Sequence, residues 1–231
     1  IVVDNNDQID ISHISKKYNI KYIPLNQNIG LLPARNIGLN EASADIVVFL
    51  DDDAVAASDL LEQHIKAYEK NSIVALRGRA KYKTKNIYNY FENHYDLGEK
   101  MIPSLLDMEG NISFQKKALN MIGGFKNVSA KEGGHEGVII TYLLRKYFTK
   151  DQIVYCPHAL IFHDYSDSLK KYIRKHIRHK RAKKEISSAF FDVENFVKEY
   201  KDNYNLINKS YFPSYRLIAN KVIERIILKF L

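Results

Sequence analysis

The chain has 231 residues, 45% of them hydrophobic and 27% charged, the balance of an ordinary globular protein long enough to bury one substantial core. Its longest apolar runs, such as Ile46 to Leu50 and Ile226 to Leu228, fall far short of the ~20 residues that cross a bilayer, and its one cysteine, Cys156, rules out an internal disulfide framework and fits a reducing, cytoplasmic setting. A formal net charge of +8 and a pI near 9.3 call for an anionic partner: nucleotide phosphates, a lipid surface or nucleic acid.

Ile1 to Val3 reads as a short β-branched strand, Asp4-Asn5-Asn6-Asp7 as a polar turn and Ile9 to Tyr18 as a helix. That strand has no turn or partner before it, so the fold is expected to start one strand and one helix earlier. Lys21 to Leu25 is a second strand; Asn28 and Gly30 then turn the chain, Pro33 suits a helix's first turn, and Ala34 to Ala42 continue the helix. The unbroken run Ile46-Val47-Val48-Phe49-Leu50 has the pattern of a strand buried on both faces.

Ser58 is the expected N-cap of a helix ending at Lys70, and Ile73 to Arg79 return to strand. Lys81 to Met108, rich in Tyr and Lys without a period, reads as a loop with short helices. Asn111 to Phe114 is a strand, Lys116 to Ile122 a helix stopped by Gly123-Gly124, Val138 to Tyr147 a helix, and Ile153 to Cys156 and Leu160 to Phe162 two strands. Strand and helix alternating in this way imply an α/β fold with a mostly parallel sheet flanked by helices.

After residue 166 the pattern turns helical and basic. Leu169 to Glu185 carries Lys170, Lys171, Arg174, Lys175, Arg178, Lys180, Arg181, Lys183 and Lys184. Leu217, Ile218, Val222, Ile223, Ile226, Ile227 and Phe230 then share one face of an amphipathic helix. The division expected is 1–166 for a catalytic domain and 167–231 for a helical extension.

The chemistry concentrates in Asp51-Asp52-Asp53 at the end of the apolar strand. Open α/β sheets bind ligands at the carboxyl edge of their strands. Carboxylates there suit Mg²⁺ or Mn²⁺, whose remaining positions go to water and substrate phosphates. The bland reading is a solvated helix start, since acidic residues favour helix N-termini.

The ordered set Ile1-Val2-Val3-Asp4-Asn5, Asn28-Ile29-Gly30, Ala34-Arg35-Asn36-Ile37-Gly38 and Phe49-Leu50-Asp51-Asp52-Asp53 resembles family 2 glycosyltransferases of the GT-A, Rossmann-like fold. Gly110-Asn111-Ile112-Ser113-Phe114, Ile122-Gly123-Gly124-Phe125 and His163 extend the likeness over about residues 1 to 165. The resemblance implies a metal-dependent, inverting transfer of a sugar from a nucleotide-diphosphate sugar, UDP-linked foremost, to a hydroxyl of a glycan, glycolipid or glycoprotein, as in the making of cell-surface polysaccharide or glycoprotein. It implies donor contacts at Asp4, Asn28, Arg35, Asp51 and Asp52, and a manganese or magnesium site at Asp51, Asp53 and His163, the triplet standing as the family's DXD motif. Asp4 serves equally as a turn former, and His163 as a strand-end residue bonded to backbone.

The family's Glu-Asp pair before a helix ending in Arg falls on Glu136-Gly137 here, with the helix running to Arg145. With Gly137 in place of the Asp, Glu136 could be the general base itself, His135 could assist, or the activity could be weakened; Glu136 is the expected base, with Asp52 beside the reacting sugar. Glu136 could instead cap its helix. A nucleotidyltransferase would use the same acidic and metal chemistry but calls for a Gly-rich phosphate loop at a first strand this sequence does not contain. A non-catalytic module holding anionic membrane or nucleic acid along 170–184 is the remaining alternative; nucleic acid is not expected, because no aromatic stacking platform accompanies the charge. The expected location is cytoplasmic, peripheral at the inner face of the membrane.

Overall fold

A computed structural model describes residues 1–6, 12–91, 95–126 and 135–200, together with positions 222, 225 and 226. The elements are β1 (Val2–Asp4), α1 (Ser12–Lys17), β2 (Tyr22–Pro24), α2 (Leu31–Glu41), β3 (Ile46–Leu50), β4 (Val55–Ala56), α3 (Leu60–Lys70), β5 (Ala75–Lys81), α4 (Ile87–Phe91), β6 (Ile102–Pro103), β7 (Asn111–Gln115), α5 (Lys116–Met121), α6 (Glu136–Leu144), β8 (Ile153–Phe162) and α7 (Leu169–Ala189). Most of the expected amphipathic helix over 217–230 lies outside the described residues, as do Gly133 and Gly134 before His135.

β1 and β2 pair in parallel, and six strands form a second sheet in the order β3-β7-β5-β8-β4 with β6 added on β8. This corrects the mostly parallel sheet expected from the alternation of strand and helix. In the larger sheet β3, β5 and β8 run in one direction, but only β5 and β8 are paired in parallel, because β7 inserts antiparallel between β3 and β5. β3 pairs β7 alone among the described strands and is only partly buried, with Leu50 45% exposed; the burial on both faces expected for it is not found.

Alternating side chains of the sheet feed two cores, as the pleat requires. Ala75, Ile112 and Phe114 join Leu32 and Leu39 of α2, Ala118 and Leu119 of α5, and Ile140 and Leu144 of α6. Leu76, Ala80, Val154 and Ile161 face the other way, onto Leu60 and Ala67 of α3. A third cluster joins Val138, Ile139 and Tyr155 to Ile186 of α7 and to Val193 and Tyr200 beyond it.

Several local features shift from expectation. β8 is one strand, not two, and its pairing with β5 slips between Arg77 and Arg79, where Arg77 faces Tyr155 and Arg79 faces Leu160. The slip accommodates Pro157, which cannot donate to a ladder. Asp59, not Ser58, is the N-cap of α3 and makes no side-chain cap bond. Gly123 and Gly124 end the turn after α5 at φ 76° and 73°, the left-handed conformation that only glycine adopts without strain. Arg77, fully buried, pairs with Asp107, while Arg79 reaches Asp96 at 2.9 Å and Glu99 at 2.8 Å; the segment 96–107 is thereby tied to β5. No helix among the described residues is long and apolar enough to cross a membrane.

Candidate active site

The pairing registers gather the chain's chemistry at one edge. Leu50 at the end of β3 faces Asn111 at the start of β7, and Lys81 at the end of β5 faces Phe162 at the end of β8. Asp51, Gly110 and His163 therefore emerge together at the carboxyl edge of β3, β5 and β8.

A donor atom from each of Asp51, Asp53 and His163 lies within 4.8 Å of the others. Asp53 Oδ1 is 3.0 Å from His163 Nε2. The His163 ring is buried, and its Nδ1 has no hydrogen-bond partner among the described residues. A buried imidazole that the protein does not saturate, facing two carboxylates, is a donor set suited to a divalent cation of the Mn²⁺ or Mg²⁺ kind. Asp52 lies in the exposed turn between the two cluster carboxylates, with no hydrogen bond among the described residues. Gly110 makes room for the cluster: a Cβ there would lie 2.3 Å from Asp51 Oδ2.

Arg35 leans across from α2. Its Nη2 donates to Asp51 Oδ1 at 3.1 Å and to the Glu109 carbonyl at 3.3 Å, and its guanidinium lies over the Phe125 ring, 5.6 Å from the centroid. Its Nη1 is buried without a partner among the described residues, and such a group gains most from a ligand acceptor. Asp4 and Asn28 form a separate, adjoining unit. Tyr22 Oη donates to Asp4 Oδ2 at 2.6 Å and Asn6 N–H to Oδ1 at 3.2 Å, while Asn28 Oδ1 accepts from Asn5 Nδ2 at 3.2 Å and from Gly30 N–H at 2.9 Å. These bonds tie the end of β1 to the entry of α2, the turn-forming role that the residue types allow.

Glu136 is the first residue of α6 and is buried. The N-cap is His135, held left-handed at φ 60° with no side-chain cap bond, so Glu136 does not serve as the cap. Sequence reasoning missed Glu109, whose Oε1 accepts the Gly137 N–H at 3.0 Å. Burial of that carboxyl and the neighbouring Glu136 push its pKa up to about 7. The one available signal was its place directly before the Gly110 motif. Thr141 Oγ1 donates to the Gly137 carbonyl at 2.6 Å and accepts from Leu106 N–H at 3.0 Å. The first turn of α6 thus lies hard against 106–109, and a Cβ on Gly137 would meet the Leu106 carbonyl oxygen at 1.6 Å. The departure at Gly137 is what this close approach demands.

An α/β sheet flanked by helices, with an acidic and imidazole cradle at its carboxyl edge, has the layout of a GT-A glycosyltransferase. The chain belongs to glycosyl transferase family 2, whose model matches residues 1–130. Over 72 residues it is 33% identical to the uncharacterized glycosyltransferase YfnE of Bacillus subtilis, covering 31% of this chain and 18% of that protein. Over 63 residues it is 38% identical to an uncharacterized glycosyltransferase of Haemophilus influenzae, covering 27% and 24% respectively. The aligned stretches thus span a quarter or less of these curated relatives.

Among solved structures, S. aureus TarS 1-349 in complex with UDP aligns with a TM-score of 0.56 at 16% identity, over 80% of this chain and 55% of that one. The mannosyltransferase PcManGT from Pyrobaculum calidifontis, in complex with GDP-Man and Mn²⁺, aligns with a TM-score of 0.51 at 14% identity, over 98% and 70%. At such identities the likeness is one of fold.

Proposed function

We propose that this protein transfers a sugar, with inversion, from a nucleotide-diphosphate sugar to a hydroxyl of a glycan, glycolipid or glycoprotein acceptor. The observation that carries the reading is the hydrogen-bonded run Asp51–Arg35–Glu109–Gly137, which joins the cation cradle to the helix bearing Glu136. The UDP and GDP-Man held by the structural neighbours support a nucleotide-sugar donor; UDP is the first nucleotide to test.

Asp51, Asp53 and His163 would hold Mn²⁺ or Mg²⁺, which when bound neutralises charge on the departing diphosphate. Asp4, Asn28 and Arg35 hold the nucleoside end, and Asp52 faces the sugar. Glu136 takes the proton from the acceptor hydroxyl as that oxygen bonds to the anomeric carbon and the bond from that carbon to the diphosphate breaks. A single displacement of this kind inverts the anomeric centre. Expected outcome: UDP binds tightly only with Mn²⁺ present, and Asp53→Ala removes most of that metal-dependent affinity in calorimetry. Unchanged affinity in the variant would sink the cation assignment.

The division into 1–166 and 167–231 is kept as part of this reading, supported by the capped start of α7 at Ser168. Lys170, Lys171, Arg174, Lys180, Arg181, Lys183 and Lys184 are exposed along α7, which supports a peripheral contact with the anionic inner face of a membrane; each near-surface cation contributes about 1 kcal/mol there. Sedimentation with anionic vesicles should exceed that with neutral vesicles and fall with salt; equal binding to both would refute the electrostatic contact.

A further inference from the structure

The geometry points to Lys83 as a side-chain cation at the diphosphate of the donor, beside the Asp51–Asp53–His163 cradle. This rests on the nucleotide-sugar reading above and adds a residue to it. Lys83 Nζ reaches the backbone carbonyl of Asp53 at 2.6 Å, on the residue whose carboxylate meets His163 at 3.0 Å. Among the described residues the ammonium has a carbonyl and no carboxylate as partner, so its positive charge is not cancelled by an ion pair.

A flexible surface lysine would seldom hold such a place by itself. Here the loop that carries it is fixed by Asp164, the residue directly after His163. Asp164 Oδ1 accepts from Lys83 N–H at 2.8 Å, Thr84 N–H at 3.0 Å and Asn89 Nδ2 at 2.9 Å, while Oδ2 accepts from Thr84 Oγ1 at 2.8 Å. Asn89, 2% exposed, closes the far side by accepting from Tyr165 N–H at 2.7 Å. The carboxylate next to His163 in the chain therefore anchors the Lys83 loop, just past the ends of β8 and β5.

The chemistry calls for such a charge. A nucleoside diphosphate leaves with close to three negative charges, more than a divalent cation alone neutralises, and a preplaced ammonium needs no reorganisation as the carbon–oxygen bond breaks. Lysine supplies it as a compact point charge with three donors, of which the Asp53 carbonyl uses one.

The test uses the full chain and calorimetry in Mn²⁺ with UDP, GDP and the matching monophosphates. Lys83→Ala is expected to weaken the best-bound diphosphate by ~10-fold or more, the worth of a charge-assisted hydrogen bond, and to leave its monophosphate and the melting temperature unchanged. Lys83→Arg should restore most of the lost affinity. Wild-type affinity for the diphosphate in Lys83→Ala overturns the assignment, and so does an equal loss for diphosphate and monophosphate, which marks a scaffold effect. A wild-type protein that binds neither nucleotide refutes the donor reading itself, a result separate from the variant comparison.

Discussion

Glu136, proposed as the general base, is buried at the start of α6 and can be tested there by substitution. Substitution to Gln keeps size and most hydrogen bonding but removes the basic carboxylate. Transfer by Glu136→Gln should fall ~10²-fold or more while diphosphate affinity stays near wild type, the usual yield of general-base catalysis; a normal rate would move the base to Asp52 or His135. At this scale the sequence was informative where chemistry is contiguous. Three carboxylates after an apolar strand mark a candidate cation site in the sequence, and the structure adds His163 to them. Glu109 could not be found that way, because a lone acidic residue in a loop gains its role only when α6 folds against it. Gly137 was legible as a departure but not for its cause. The second helical position ordinarily favours an acidic side chain by about 0.5 kcal/mol, yet the Leu106 carbonyl leaves no room for any side chain.

Between elements, α3 and β7 are joined by a polar cluster whose His64, Asn111 and Ser113 are fully buried. His64 Nδ1 lies 2.8 Å from Ser113 Oγ and Nε2 3.0 Å from Asn111 Oδ1, with Tyr68 Oη 3.0 Å from the same serine. Burial, opposed by the Asn111 hydrogen bond, lowers the His64 pKa from 6.5 to about 4. As pH falls the unfolded chain takes the proton first, so stability present above pH 6.5 is lost down to pH 4, on the order of 3 kcal/mol. Glu109 acts with the opposite sign: its raised pKa means the folded chain holds the proton longer, and stability is lost as pH rises from 4.5 towards 7. The two overlap, so the contribution of His64 is read by difference. His64 and Glu109 oppose each other between pH 5 and pH 7.5, so the denaturant midpoint at pH 7.5 minus that at pH 5 should be more positive for the wild type than for His64→Gln, which keeps only the Glu109 effect; the same difference in both would show that His64 is not the group responsible. Helices and strands here were legible from local period, whereas pairing direction was not. Nothing in Asn111 to Gln115 says that it enters antiparallel between β3 and β5, because direction depends on where the preceding 30 residues travel. The two strands expected over Ile153 to Cys156 and Leu160 to Phe162 are likewise one strand with a slip in its pairing.

Across the whole molecule, the third core draws α7 and the helix over 193–200 onto α6 and β8, so the basic extension and the GT-A sheet share buried surface. The same architecture brings together residues far apart in the chain. Asp53 and His163 are about 110 positions apart, and the strand pair that joins them is short: Val55 faces Phe162 and Ala56 faces Ile161. The closing bond of that pair runs from Ala57 N–H to the Leu160 carbonyl at 3.0 Å. So brief a pairing between distant segments is expected to open at lower free energy than the longer pairings of the sheet. A ligand held by Asp53 and His163 acts as a clasp on this opening, slowing it by the factor 1 + [L]/Kd, about 100-fold at a hundred times Kd. Amide exchange at Ala57 should slow by that order when Mn²⁺ and UDP are added to the wild type and stay fast in Asp53→Ala. Unchanged exchange at Ala57, with binding seen calorimetrically, would mean that the β4–β8 seam does not open separately from the rest of the sheet. If the clasp holds, a nucleotide bound with its cation at Asp53 and His163 also keeps the β4–β8 seam closed, and the ligand-free protein is the form most open to proteolysis there.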